Sequence, residues 1–89
     1  MIEETVQTER TLRIDEIRDI AADVFAVEPG EVEAADSFAV DLDADSLLAI
    51  ELLAHLEEHF GITIDVAESP RMVTNLATVY EVVAESAGW

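Results

Sequence analysis

Apolar positions near the start of the chain recur at helical spacing. Leu12, Ile14, Ile17, Ile20, Ala21, Val24 and Phe25 alternate with Arg13, Asp15, Glu16, Arg18, Asp19 and Asp23, which predicts a helix with one face committed to a core. Pro29-Gly30 is read as its stop, since both residues interrupt regular structure. Residues 1–9 are polar and aperiodic and are read as a flexible lead-in to a domain over residues 10–86, with 87–89 as a short C-terminal end.

From Glu31 to Ala44 the period is lost. Val32, Phe38, Val40 and Leu42 are scattered among acids, which predicts a long connection ordered by four apolar anchors. A second strong helix follows up to Phe60. Leu47, Ile50, Leu53, Leu56 and Phe60 keep the helical spacing, and Leu48 and Leu52 widen the apolar stripe. Glu51, His55, Glu57, Glu58 and His59 are read as mostly solvent-facing, and Gly61 ends the run, as glycine does at helix C-termini. Asp45 or Ser46 suits the N-cap, where a short side-chain oxygen accepts from a free amide of the first turn.

Ile62-Thr63-Ile64 is β-branched but has no second strand to pair with, so it is read as an extended connection. One short helical turn interrupted by Pro70 is expected within Val66–Met72. A last helix follows on Leu76, Val79, Tyr80, Val82 and Val83, capped by Thr74 or Asn75. The pattern as a whole predicts an all-α fold of three main helices and one short one, with a long loop between the first two main helices.

Composition narrows what such a bundle can do. At 89 residues a domain buries only about 60–65% of the surface its unfolded chain exposes, too little for a deep catalytic cleft. Twenty-one Asp and Glu stand against four Arg and no Lys, a formal net charge of −17, which argues against nucleic acid as a partner. No Lys or Arg lies between Asp19 and Pro70, and an anionic surface of this kind attracts basic patches on other proteins. The absence of Cys excludes disulfides, thiolate metal sites and cysteine nucleophiles, so any thiol chemistry must arrive on a cofactor. No signal peptide or membrane span can be drawn, and a cytoplasmic location is expected.

Ser46 is the candidate for chemistry. Asp45-Ser46-Leu47 places a hydroxyl at the start of a helix beside a long loop, and free amides there favour a nearby phosphate without a basic side chain. On its position alone, Ser46 is equally an ordinary capping residue. Three rival chemistries fail on spacing. Asp41, Asp43 and Asp45 alternate as calcium ligands do, but Ser46 stands where an EF-hand needs Gly and Leu52 where it needs Glu. His55 and His59 share a helical face, yet Leu56 follows His55 and no third zinc ligand is identifiable; no metal site is assigned. Ser46 lacks a base and orienter in triad geometry, so no intrinsic enzyme activity is expected. A non-enzymatic alternative is an acidic adaptor or decoy that mimics nucleic acid and needs no modification.

Asp36-Ser37-Phe38, then Asp41-Leu42, then Asp45-Ser46-Leu47, continuing Ala49-Ile50-Glu51-Leu52 and closing on Leu56-Glu57-Glu58-His59-Phe60, resemble the acyl carrier protein family, from the first helix to about Val83. The resemblance implies a four-helix bundle whose third helix is short, with 4′-phosphopantetheine from coenzyme A attached at Ser46. It implies an acyl cargo held as a thioester for fatty acid or polyketide synthesis, with an aminoacyl or peptidyl cargo as the alternative. The Lys-free, Ala- and Val-rich composition is compatible with a carrier of secondary metabolism. Asp45, Leu47, Leu48, Glu51, Glu57 and Glu58 match partner-facing positions, and Ile50, Leu53, Leu56, Ile64 and Val79 match an interior that can shelter cargo. The implied partners are a phosphopantetheinyl transferase and loading or processing enzymes with basic docking patches, such as a ligase, acyltransferase or ketosynthase, acting on a monomeric carrier. Asp43 stands where many relatives have Gly, Leu48 where a polar residue is frequent, and Val66 and Ala67 where acids are frequent.

Overall fold

The computed structural model describes the backbone of residues 2–89 and the side chains of residues 9–89. It is helical throughout: α1 (Ile2–Phe25), α2 (Pro29–Ala34), α3 (Phe38–Asp41), α4 (Ser46–Phe60), a 3₁₀ helix (Val66–Val73) and α5 (Leu76–Ala87). The three long helices α1, α4 and α5 and the 3₁₀ helix are the elements the sequence predicts, and no strand occurs among the described residues. Ile62–Ile64 is an extended connection.

Two boundaries differ from the periodicity. The first helix begins at Ile2, inside the stretch read as a lead-in, because neither Pro nor Gly interrupts residues 2–25 and acids near a helix N-terminus favour it. It ends at Phe25, where Ala26 takes φ +57° and the Val27 amide donates back to the Ala22 carbonyl at 3.0 Å, a left-handed C-terminal closure. Pro29 therefore opens a helix rather than stopping one. It sits in the first turn of α2 behind a capping box between Glu28 and Glu31, where a missing N–H costs nothing.

The long connection expected between α1 and α4 contains α2 and α3. Val32 and Phe38 are fully buried anchors and Leu42 packs partly against the core, but Val40 is 80% exposed and anchors nothing. Phe38 meets Phe25 edge-on, centroids 5.2 Å apart, and its amide donates to the Thr74 carbonyl at 2.7 Å. The connection is thereby fixed both to the end of α1 and to the turn before α5.

One core holds the helices together. Ile17, Ala21, Ala22 and Phe25 of α1, Ala49, Leu52, Leu53 and Leu56 of α4, Met72 of the 3₁₀ helix, and Val79, Val82 and Val83 of α5 are all buried. Leu12, although apolar and helix-spaced, is exposed; it lies five residues from Ile17, about 140° around the helix at 100° per residue. The same effect shifts α4. Its buried stripe is centred on Ala49 and Leu52, which turns Leu47 (63% exposed) and Ile50 (49% exposed) outward.

Candidate carrier site at the start of helix α4

Backbone geometry places Ser46. The Asp41 carboxylate accepts from the amides of Asp36 and Ser37 at 2.9 and 3.2 Å, and Ser37 caps α3 by accepting from Val40. The Phe38 carbonyl accepts from both Leu42 and Ala44, at 3.0 and 3.1 Å, folding the chain back toward α4. Asp43 then takes φ +56°, the left-handed conformation that glycine adopts without penalty and aspartate better than most other residues.

Asp45 is the N-cap of α4; its carboxylate accepts from the Leu48 amide at 3.0 Å. Ser46 is the first helical residue and is exposed. Its hydroxyl has no hydrogen-bond partner among the described residues, and the Ser46 and Leu47 amides donate to no backbone carbonyl. An exposed hydroxyl, able to act as a nucleophile, thus stands beside two free amides at the positive end of a fifteen-residue helix, which suits a phosphodiester without a basic side chain being required.

A cleft of about 250 Å³ opens next to the serine. Its walls are Ala44, Asp45, Ser46 and Ala49 on one side and Ser69, Pro70 and Val73 of the 3₁₀ helix on the other. None of the five residues read as a cargo interior lines it. Leu53, Leu56, Ile64 and Val79 are closed into the core, and Ile50 stands outside because the α4 stripe is rotated as described. Periodicity missed Ala44, Ala49, Ser69 and Val73 because small or mid-sized side chains carry little hydrophobic signal; only Pro70 had stood out, as a break in a helical turn.

The six residues that the resemblance implies to be partner-facing divide. Leu47, Glu51 and Glu58 lie exposed on the outer face of α4, together with Ile50 and Ala54. Asp45 is exposed but engaged as a cap, and Leu48 is half-buried against the core. Glu57 is half-buried, and its carboxylate accepts from the Ile64 amide at 2.9 Å, closing the connection after α4.

Every arginine is engaged. Arg18 pairs with Asp19, Glu33 and Asp15 at 2.9, 2.8 and 3.2 Å, and its guanidinium is held above its ordinary range first by the hydrogen bond to Asp19, then by that to Glu33. Arg71 reaches Glu68 at 2.8 Å and Glu81 and Glu85 of α5 at 3.6 and 3.8 Å, and is raised chiefly by Glu68. Arg10 lies over the Tyr80 ring and Arg13 over the Trp89 ring, at 5.1 and 4.3 Å. The carboxylates of α4 outer face have no cation of their own to neutralise them. Asp41 and Asp45 spend their carboxylates on backbone amides, and no cluster of three or more His, Asp or Glu placed to hold a metal ion occurs among the described residues.

The sequence matches the phosphopantetheine attachment site family over residues 15–85. The chain belongs to this family, that of the acyl carrier proteins. It is 48% identical over 84% of its length to polyketide-8 synthase acyl carrier protein 1 of Streptomyces avermitilis, covering 88% of that protein. An acyl carrier protein of Thermosynechococcus vestitus is 41% identical over 68% of the chain and 75% of its own length. A chain in the solved structure of the ishigamide ketosynthase/chain length factor superposes with a TM-score of 0.71 at 40% identity, over 86% of this chain and 96% of that one. Membership makes this acyl carrier a holder of covalent 4′-phosphopantetheine and a substrate carrier rather than a catalyst. No described helix is long and apolar enough to cross a membrane.

Proposed function

We propose that Ser46 carries the 4′-phosphopantetheine arm and that the domain presents an acyl group to the enzymes of a polyketide or fatty acid pathway. The observation that carries this reading is the exposed, unpartnered Ser46 hydroxyl at the first position of α4, between two free amides and an apolar cleft. The arm supplies the terminal thiol that this Cys-free chain lacks, on which cargo is held as a thioester. The chain's own residues do the rest. Asp45 fixes the first turn of α4 by capping it, the amides of Ser46 and Leu47 face the phosphodiester position, and Ala44, Ala49, Pro70 and Val73 offer apolar surface beside it.

Partner enzymes dock on the outer face of α4, where Leu47 supplies an apolar contact and Glu51 and Glu58 steer basic patches. Such steering acts on encounter rates and weakens with salt. The polyketide relatives, and the likeness to a chain in a ketosynthase/chain length factor structure, favour a polyketide pathway and a ketosynthase among the partners.

The test is intact mass after incubation with coenzyme A and a broad-specificity phosphopantetheinyl transferase. The native chain is expected to gain one phosphopantetheinyl group and Ser46→Ala none. A gain that persists in Ser46→Ala moves the attachment elsewhere; no gain in either chain favours the acidic adaptor reading.

A further inference from the structure

The two walls of the cleft beside Ser46 come from distant parts of the chain, and one residue is bonded to both. On the α4 side, the Phe38 carbonyl accepts from the amide of Ala44, a wall residue, at 3.1 Å and from that of Leu42 at 3.0 Å. On the other side, the Phe38 amide donates to the Thr74 carbonyl at 2.7 Å, and Thr74 directly follows Val73, the last residue of the 3₁₀ wall. Phe38 is thus a strut between the walls. Its ring is fully buried and meets Phe25 edge-on at 5.2 Å, which foots the strut on α1.

The strut is carried by α3, which has only four residues, a length at which a helix does not hold itself. Asp41 closes it. Its carboxylate turns back to the amides of Asp36 and Ser37, the two residues before Phe38, at 2.9 and 3.2 Å, and its own amide donates to the Ser37 carbonyl at 2.7 Å. Amides at the start of so short a helix lack carbonyl partners, and a carboxylate gives them charge-assisted bonds.

We propose that Asp41 is a positioning residue for the chemistry at Ser46: by closing the turn over residues 36–41 it holds Phe38 in the bonds that set the spacing of the cleft walls and the placement of the serine hydroxyl. The proposal rests on Ser46 being the attachment residue. In the attachment step the Ser46 Oγ bonds to the pantetheine-side phosphorus of coenzyme A, the pyrophosphate P–O bond breaks, adenosine bisphosphate leaves, and the hydroxyl proton passes to a base of the transferase. Asp41 touches none of the reacting atoms. Its effect reaches Ser46 through Phe38 and Ala44.

The experiment uses the full chain as native, Asp41→Asn, Asp41→Ala and Asp43→Asn. Asp41 is exposed, so truncation leaves no cavity, and far-UV circular dichroism confirms folding. Initial rates of modification with coenzyme A and a broad-specificity phosphopantetheinyl transferase are split into kcat and KM for the carrier. Asp41→Ala is expected to lower kcat by about tenfold or more, the scale on which a displaced reacting group acts, with KM little changed. Asp41→Asn keeps an accepting oxygen and is expected to restore most of kcat. The Asp43 carboxylate makes no hydrogen bond among the described residues, so Asp43→Asn measures the effect of losing one charge alone.

Amide hydrogen exchange of the unmodified chain supplies a readout independent of activity. Asp41→Ala is expected to speed exchange at Phe38 and Ala44 by about tenfold, as a local opening, although neither amide bonds to Asp41, while the amides of Leu52 and Leu53 in the α4 core keep their native rates. Faster exchange confined to Asp36 and Ser37, or shared equally by the α4 core, overturns the proposal. A raised KM at native kcat, matched in Asp41→Asn and Asp43→Asn, makes Asp41 a docking charge and overturns it equally. Failure of the carrier reading looks different: the native chain then takes no arm, whereas the exchange pattern of Asp41→Ala still shows or refutes the strut.

Discussion

The Glu57 carboxylate accepts from the Ile64 backbone amide at 2.9 Å, so an acid that the family resemblance implies to be partner-facing also closes the turn after α4. Truncation there separates the structural bond from docking. Glu57→Ala is expected to lower unfolding free energy by about 1–2 kcal/mol, the range for a lost hydrogen bond to a charged group, as read from urea denaturation. Glu51→Ala and Glu58→Ala, whose side chains make no such bond, are expected to lie within about 0.5 kcal/mol of the native chain. Docking is therefore better probed with Glu51→Arg and Glu58→Arg, which should slow loading by a partner enzyme and flatten its salt dependence.

Left-handed backbone at Asp43 and Ala26 predicts that glycine is the better residue at both. Asp43→Gly is expected to stabilise by about 0.5–1 kcal/mol and Ala26→Gly by about 1 kcal/mol, the strain relieved exceeding the extra chain entropy of glycine. Asp43→Val should destabilise, since a β-branched side chain tolerates this region poorly. Chemical denaturation of the three variants checks the ordering.

Asp45 combines a cap with a charge, and the two separate by substitution. Asp45→Ala should cost about 1 kcal/mol through loss of the bond from the Leu48 amide. Asp45→Asn keeps an accepting oxygen and should retain nearly all of the stability. If Asp45→Asn is stable yet modified more slowly at Ser46, the charge serves docking; if it is modified at the native rate, the residue acts as a cap alone.

A formal charge of −17 on 89 residues, with all four arginines already engaged, predicts self-repulsion. The melting temperature is expected to rise from about 0.01 M to about 0.15 M salt, as the screening length falls from about 30 to about 8 Å. A midpoint independent of salt would show that the arginine pairs balance the surface.

Much of this was legible before any coordinates. Gly61 marks a helix end because it closes α4 in left-handed geometry, at φ +64°; Gly88 does the same for α5 at φ +73°, where the sequence shows only a short C-terminal end. Of the paired cap candidates, Asp45 or Ser46 and Thr74 or Asn75, the structure uses Asp45 and Asn75, whose side chains accept from Leu48 and Thr78. Such signals are local, and local chemistry survives folding unchanged. The register of α4 was not legible. Leu47, Leu48, Ile50, Leu52, Leu53 and Leu56 surround the helix on nearly every side, and the choice among faces falls to Ala49, whose small side chain lets a neighbouring element approach but contributes little to an apolar pattern. The cleft beside Ser46 was hidden for the same reason, since it depends on how far the 3₁₀ helix stands from α4. Pro29 misled because a proline that ends one helix and a proline that begins the next look alike until the turn between them is seen.

Trp89, 39% exposed, meets Phe60 edge-on and Tyr80 at a tilt beneath the Arg13 guanidinium. Phe60 is fourteen residues from Ser46 along one helix, about 21 Å at 1.5 Å per residue. The single indole of the chain is thus a natural optical gauge mounted at the far end of the lever that bears the serine. An emission change on loading the arm would be a signal carried along the length of α4, and silence would mean that the two ends of the domain answer to different events.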